Sequence, residues 1–289
     1  MKSDLPVVGV IGGSGLYEME GLTDVDRRQI ETPWGPPSDA IVTGTLGDVR
    51  LAFLPRHGRG HRIPPHKIEF RANLFALKSL GAEWVISISA VGSMKEDIGP
   101  GDFVIVDQFI DRTIARPRTF FEDGIVAHVA FADPVCSRLA NVVHECAREA
   151  GIRVHRGGTY VCIDGPQFST RAESNLFRSW GASVVGMTNL PEARLAREAE
   201  LCYTTVALAT DYDCWHESEG DVTVDAVLAV LRQNVDNAKK LVRLAAPRVP
   251  RPRTCPCESA LKGAILSDPA AVTPEARKRL DLLVGRYLP

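Results

Sequence analysis

The sequence predicts an α/β fold: one mixed β-sheet with helices on both faces. Short β-branched runs alternate along the chain with longer amphipathic stretches. Glycines stand directly after several of those stretches, where a left-handed helix C-cap is wanted. Two apolar runs are parted only by a short glycine turn, which makes them antiparallel neighbours and the sheet mixed.

In chain order, Val7–Ile11 is an unbroken apolar run, as expected of a strand buried on both faces. Ala40–Thr45 and Val49–Leu54, joined by Leu46-Gly47-Asp48, read as a hairpin. Ile68–Leu80 has helical spacing and ends at Gly81. Trp84–Ser89 and Phe103–Val106 are the next strands. Ser137–Ala150 is a helix stopped by Gly151, Gly158–Ile163 a strand, and Thr170–Trp180 a helix stopped by Gly181. Ser183–Met187 and Leu201–Ala209 are strands flanking the helix Glu192–Ala199; Val224–Leu244 and Pro274–Val284 are the last helices. Residues 1–247 are expected to form one domain, with 248–289 a Pro/Arg-rich linker and C-terminal helical tail of that same domain.

Composition narrows the function. The 289 residues are 45% hydrophobic and 24% charged, as in ordinary soluble domains, and no 20–50-residue period repeats. Lys and Arg number 34 against 36 Asp and Glu, so the basic footprint of a nucleic-acid partner is not expected. No apolar run approaches the ~18 residues of a membrane span, and Val7–Gly13, short and preceded by Asp4, does not read as a signal peptide. The 7 cysteines are odd in number and mostly scattered, which points to a reducing cytoplasm. Cys255-Pro256-Cys257 reads as two surface thiols in a Pro-rich loop or as a vicinal redox pair; with no Cys-x-x-Cys or His pair near it, zinc is not expected.

Three turns, each after a strand, carry groups that hold anions. Val10-Ile11-Gly12-Gly13-Ser14-Gly15 offers backbone N–H groups and the Ser14 hydroxyl. It lacks the third glycine of a dinucleotide fingerprint, since Glu18 stands there, and by itself it also fits a plain tight loop. In Leu54–His61, Arg56 can grip a phosphate with two parallel hydrogen bonds and His57 can add a donor, unless the segment is only a solvated basic loop. Ser89-Ala90-Val91-Gly92-Ser93 is the third. Together they suggest one phosphate-sized anion, held without metal at the carboxyl ends of the strands. Past Leu201–Ala209, Asp211 and Asp213 lie two apart, so in extended chain both face one side. Two close carboxylates in a partly dry cleft raise one pKa and give an acid that can donate near neutral pH; a solvated turn is the alternative.

In this order these segments, with Gly186-Met187-Thr188 and Pro191-Glu192, resemble the trimeric purine nucleoside phosphorylase superfamily. Thr32-Pro33-Trp34-Gly35, Gln108–Thr113, Gly165–Ser169, Arg171–Ser174 and Ala209–Trp215 resemble more closely its methylthioadenosine phosphorylase family, over residues 7–245. The resemblance implies the nucleoside phosphorylase fold, a mixed central β-sheet flanked by helices. It implies cleavage of methylthioadenosine by phosphate to adenine and methylthioribose 1-phosphate, in purine and methionine salvage. Phosphate would be held by Ser14, Arg56, His57, Ser89, Ala90 and Thr188; Ser14 and Ser89 stand where many relatives carry Thr, and each keeps the hydroxyl. Met187 would pack under the ribose and Phe168 against the base; Asp211, as catalytic acid, and Asp213 would read the purine edge. His128 would reach a neighbouring subunit's site, and Val224 and Val227 would line the methylthio pocket.

The resemblance further implies no cofactor, with phosphate a co-substrate, and no metal. The assembly implied is a cytoplasmic homotrimer, or alternatively a homohexamer, whose partners are a nucleoside and phosphate rather than nucleic acid or membrane. A purine nucleoside or S-methyl-5′-thioinosine phosphorylase is the nearest alternative; Asp211, where an Asn would suit 6-oxo bases, separates the two. A nucleosidase using water is disfavoured by Arg56 and His57, and a non-catalytic nucleoside-binding protein by the intact acid and phosphate donors.

Overall fold

Alternating apolar side chains make β1 (Val7–Gly12) and β4 (Val49–Pro55) strands with a core on each face. Val7, Ile11, Ala52 and Leu54 enter one hydrophobic cluster; Val8, Val10, Leu51 and Phe53 enter the other. The computed structural model describes residues 5–13, 15–122, 124–216 and 224–288, without the side chains of 224–229. The remaining strands are β2 (Thr23–Arg28), β3 (Ile41–Leu46), β5 (Ala82–Ser93), β6 (Phe103–Ile105), β7 (Gln108–Arg112), β8 (Val154–Arg156), β9 (Thr159–Ile163), β10 (Val184–Gly186) and β11 (Cys202–Asp211). The helices are α1 (Phe70–Ser79), α2 (Ser137–Glu149), α3 (Arg171–Ser179), α4 (Asn189–Glu198), α5 (Val224–Ala245) and α6 (Pro274–Val284).

The strands form one mixed sheet, ordered β2-β3-β4-β1-β5-β10-β9-β7, from which β11, β6 and β8 branch at β5. β4, β1, β5 and β11 run parallel, so their carboxyl ends share one edge. The pairs β2–β3, β3–β4, β5–β10 and β6–β11 are antiparallel. β5 is the hub. It lies between β1 and β11, and its last residues turn onto β10, pairing Gly92 with Val185 and Ser93 with Val184. Side chains of α1, α4 and α6 pack in the first cluster; those of α2 and α5 pack in the second.

Local chemistry explains the element ends. Gly81 follows α1 at φ +85°, a conformation that penalises any Cβ. Thr170 and Glu173 close a capping box on α3, and Thr273 accepts the Ala276 N–H at the start of α6. Leu190 is extended inside α4 (φ −121°, ψ 133°) because the ring of Pro191 disfavours a helical residue before it.

Two expectations change. Residues 248–256 are no loose linker: Val249 is buried, and Arg248, Arg251 and Arg253 pair with Glu149, Asp48 and Glu83. Cys255 and Cys257 are not surface thiols; both are buried, in the same cluster as α2 and α5. Among the described residues, no helix is long and apolar enough to cross a membrane.

Glu198, at the end of α4, is buried, and among the described residues no cation pairs with it. It accepts from Thr119 Oγ1 at 2.7 Å and from the Phe120 N–H at 2.8 Å. Burial pushes its carboxyl up to about 7, against the pull of those two donors. The folded state therefore keeps this proton to about pH 7, whereas an unfolded glutamate releases it near 4.5, and stability falls as pH rises between those values. Glu198→Gln removes the titration. The stability of the native chain relative to this variant should decline from about pH 4.5 to about pH 7 and level off above it in urea denaturation; a difference independent of pH would show that Glu198 does not titrate in that window.

Candidate active site

The carboxyl ends of the four parallel strands open into a cavity of about 330 Å³. Gly12 ends β1 and Gly13 follows it, Arg56, His57 and His61 follow β4, Ile88–Gly92 come from β5, and Leu208, Thr210 and Asp211 from β11. Met187, Thr188, Phe168 and Asp213 complete much of the wall, and Leu231 and Val235 of α5, one turn apart, supply an apolar side. Of the site residues expected from sequence, Arg56, His57, Ser89, Ala90, Phe168, Met187, Thr188, Asp211 and Asp213 meet around this one cavity. Ser14 lies outside the described residues, as do the side chains of Val224 and Val227. His128 is exposed and is not part of the cavity wall of its own chain.

Arg56 is committed differently from the expected phosphate fork. Its Nε donates to Glu192 Oε2 at 2.8 Å and its Nη2 to Glu192 Oε1 at 3.1 Å. Nη2 also donates to Ser87 Oγ at 2.7 Å, and Nη1 to the Ile88 carbonyl at 3.0 Å. Four of its five N–H groups are thus spent inside the protein, and one on Nη1 remains. A bidentate grip on phosphate would have to break the Glu192 pair. Burial opposes the charge on Arg56, but Glu192 more than offsets it, and the guanidinium's pKa is raised.

His57 is also re-read. Its Nδ1 lies 2.8 Å from the Ile63 carbonyl, which can only accept, so the ring proton sits on Nδ1. Burial, with Arg56 and His61 adding to it, lowers its pKa to about 4. The ring is neutral at pH 7, and its Nε2 is an acceptor rather than the expected donor.

Hydroxyls line the same end. Ser89 Oγ lies 3.1 Å from both Thr188 Oγ1 and Tyr160 Oη, and the Thr188 N–H donates to Tyr160 Oη at 3.4 Å. Burial raises the Tyr160 pKa to about 12, so the phenol keeps its proton. Gly186 makes room for it: a Cβ there would lie 2.1 Å from Tyr160 Oη. Buried Arg116 braces the strand ends, donating to the carbonyls of Met187 at 2.8 Å, Leu190 at 2.7 Å and Asp164 at 2.8 Å.

At the opposite end the carboxylates meet through a turn, not an extended stretch. The Asp213 N–H donates to Asp211 Oδ1 at 2.8 Å, and Asp213 takes φ +53°. Burial pushes the Asp213 carboxyl up, and the Asp211 charge adds to the shift. Thr210 bears on Asp211. Its Oγ1 lies 3.1 Å from the Val91 carbonyl and 2.6 Å from Asp211 Oδ2. The Thr210 hydroxyl has one proton to give, shared between the Val91 carbonyl and the Asp211 carboxyl. Tyr160 and Glu192 carry no local signal in the sequence, because each acts through a partner far away in the chain.

The fold and site together define a nucleoside-type phosphorylase, and residues 7–246 match the phosphorylase superfamily. S-methyl-5′-thioadenosine phosphorylase of Geobacter sulfurreducens is 61% identical over 98% of this chain and 99% of its own. The enzyme of that name from Koribacter versatilis is 56% identical over 97% of this chain and 96% of its own. A methylthioadenosine phosphorylase structure from an antarctic soil metagenomic library superposes with a TM-score of 0.92 at 46% identity, covering 97% of this chain and 99% of that one. The methylthioadenosine phosphorylase of Schistosoma mansoni in complex with adenine gives 0.84 at 37% identity, covering 90% and 99%. The chain belongs to the S-methyl-5′-thioadenosine phosphorylase family.

Removing one half of a buried ion pair leaves the other charge uncompensated. Glu192→Ala should therefore lower unfolding free energy by about 3–5 kcal/mol in denaturant titration. A loss below about 1 kcal/mol, the worth of an exposed pair, would contradict the role given to Glu192.

Proposed function

We propose that this chain phosphorolyses S-methyl-5′-thioadenosine, giving adenine and 5-methylthioribose 1-phosphate. The observation that carries the reading is the one cavity that brings the Ser89 and Thr188 hydroxyls together with the carboxyls of Asp211 and Asp213. Breaking an N-glycosidic bond builds positive charge on the sugar and negative charge on the departing purine. A phosphate at Ser89, Ala90 and Thr188, with Ser14, faces the first charge and attacks the sugar; Asp211 neutralises the second by protonating the base. Neutral His57 suits a protonated phosphate oxygen, whose O–H its Nε2 can accept. Arg56 acts mainly by its charge and its one remaining N–H.

The base lies against Phe168 with its edge toward Asp211 and Asp213, the ribose over Met187. The methylthio group lies toward α5, where Val224 and Val227 precede the cavity-lining Leu231 and Val235. The chemistry requires no organic cofactor and no metal. Residues 1–247 with the tail 248–289 act as one domain in a cytoplasmic homotrimer, with a homohexamer as the alternative assembly. In that assembly His128 serves a neighbour's site.

Adenine release from methylthioadenosine, measured with and without phosphate, tests the reading. Turnover should require phosphate and should exceed that on inosine and methylthioinosine. Release without phosphate would make the chain a hydrolase, and a preference for the 6-oxo nucleosides would overturn the substrate assignment.

Asp211→Asn should cut kcat/KM on methylthioadenosine by ~10²–10⁴, since an amide passes no proton to the base. Its NH2 can donate to a 6-oxo group, so the loss on inosine should be smaller and the ratio of the two substrates should shift toward inosine. An unchanged rate and ratio would reduce Asp211 to a turn residue.

A further inference from the structure

We propose that Cys136, Cys202, Cys255 and Cys257 form a binding site for one thiophilic, tetrahedral divalent cation, zinc in the first instance. The site is independent of the catalytic reading. The four sulfurs come from three segments far apart in sequence, and all lie within 4.8 Å of one another. Their residues are 3%, 1%, 8% and 3% exposed. In a regular tetrahedron with metal–sulfur bonds of about 2.3 Å, neighbouring sulfurs stand about 3.8 Å apart. The spread here, from 3.2 Å between Cys202 and Cys255 up to the 4.8 Å limit, brackets that edge.

Each ligand sits where the backbone holds it. Cys136 is the N-cap of α2, whose first-turn N–H groups favour a thiolate. Cys202 opens β11, paired with Trp84 of β5. Cys255 precedes a single helical turn, Pro256–Ser259, that carries Cys257, and Pro256 between the two fixes the backbone of the chelating loop. Buried cysteines that serve only as small apolar residues do not need one another's company. Cys162, for example, donates to the Leu190 carbonyl at 3.5 Å, away from the cluster. A single disulfide would need two sulfurs at about 2.05 Å; four converging on one centre fit a four-coordinate ion.

On binding, four thiols release four protons and four sulfur–metal bonds form, with no change of oxidation state. The role is structural. Nine residues of β11, at about 3.3 Å each, separate Cys202 from Asp211, so the ion lies about 30 Å from the acid. It pins the segment after α5 to the start of α2 and to the amino end of β11.

The test is metal stoichiometry on the full chain. Protein purified without chelator from zinc-supplemented cells should carry one zinc per chain. After reduction and demetallation it should take up one equivalent of Co²⁺, with thiolate-to-cobalt charge transfer and tetrahedral d–d bands. Cys255→Ser with Cys257→Ser should abolish those bands and lower the thermal midpoint while leaving kcat unchanged. Cys146→Ser, a buried cysteine outside the cluster, should keep the bands. If the double variant does not fold, Cys257→Ser alone should weaken Co²⁺ binding at least about tenfold. Zinc content below about a tenth of an equivalent together with no saturable Co²⁺ spectrum in the reduced chain would overturn the site. So would disulfides among the four cysteines with no Co²⁺ uptake after reduction.

Discussion

Arg56 and Glu192 meet through two hydrogen bonds with side chains 3% and 0% exposed, and the walls of the cavity are arranged around that contact. A charge this deep is tolerated only when it is paired and its remaining groups are satisfied. Glu192 supplies the pairing, and four of the five N–H groups of Arg56 are satisfied. Glu192 Oε1 also accepts from Ser87 Oγ at 2.5 Å and Tyr203 Oη at 2.9 Å, and Asn189 Nδ2 reaches Ser87, Tyr203 and Thr205. The pair and its partners tie the end of β4, the middle of β5, the start of α4 and the start of β11 into one polar core beneath the cavity. The guanidinium fork is therefore turned into the protein, where it holds the strand ends still.

Above that core the sheet does the placing. Four parallel strands end at one edge, and two local irregularities convert the edge into a site. β5 continues past the edge to pair with β10, which brings Thr188 beside Ser89. β11 shifts register between Ala209 and Asp211, and such a bulge re-aims the side chain that follows it. Gly92 leaves the space this needs, since a Cβ there would lie 3.0 Å from Asp211 Oδ1 and 3.2 Å from Asp213 Cβ. The electrostatics divide accordingly, with a permanent cation behind the hydroxyl end and two carboxyls sharing the other.

Elements whose burial repeats locally were legible in the sequence. β1, β4, β5 and β11 are apolar runs, and the glycine stops after α1, α2 and α3 all take positive φ. β2, β7 and β8 were not seen. β2 reads Thr-Asp-Val-Asp-Arg-Arg and is exposed throughout, as an edge strand that uses charge to avoid further pairing must be. β7 and β8 are short and half-exposed, with no period to detect. The residues lining the cavity were legible because turns after strands carry recognisable groups. Their hydrogen-bond partners were not: Glu192 is an ordinary helix glutamate until the fold brings Arg56, 136 residues away, against it. The cysteines make the same point, since Cys-Pro-Cys has no metal-site spacing by itself and joins a four-sulfur cluster only when Cys136 arrives from the start of α2 and Cys202 from β11.

The distance between the two reacting ends is, in the end, a matter of strand register. Ser89 and Gly92 lie on β5, and the ladder to β11 pairs Ser89 with Ala207 and Gly92 with Asp211. Three residues of strand separate the Ser89 hydroxyl from the level of Asp211, about 10 Å along the strand and one strand spacing of about 4.8 Å across it. Neither end can drift alone, because a one-residue slip of β11 would turn its whole buried face over. β11 is buried along almost its entire length, so nothing short of unfolding the sheet relaxes that register. The spacing that a nucleoside must span is thus set by main-chain pairing rather than by flexible side chains. A fold with so many chemistry-bearing residues on turns can keep them in place because the strands beneath them admit only one alignment.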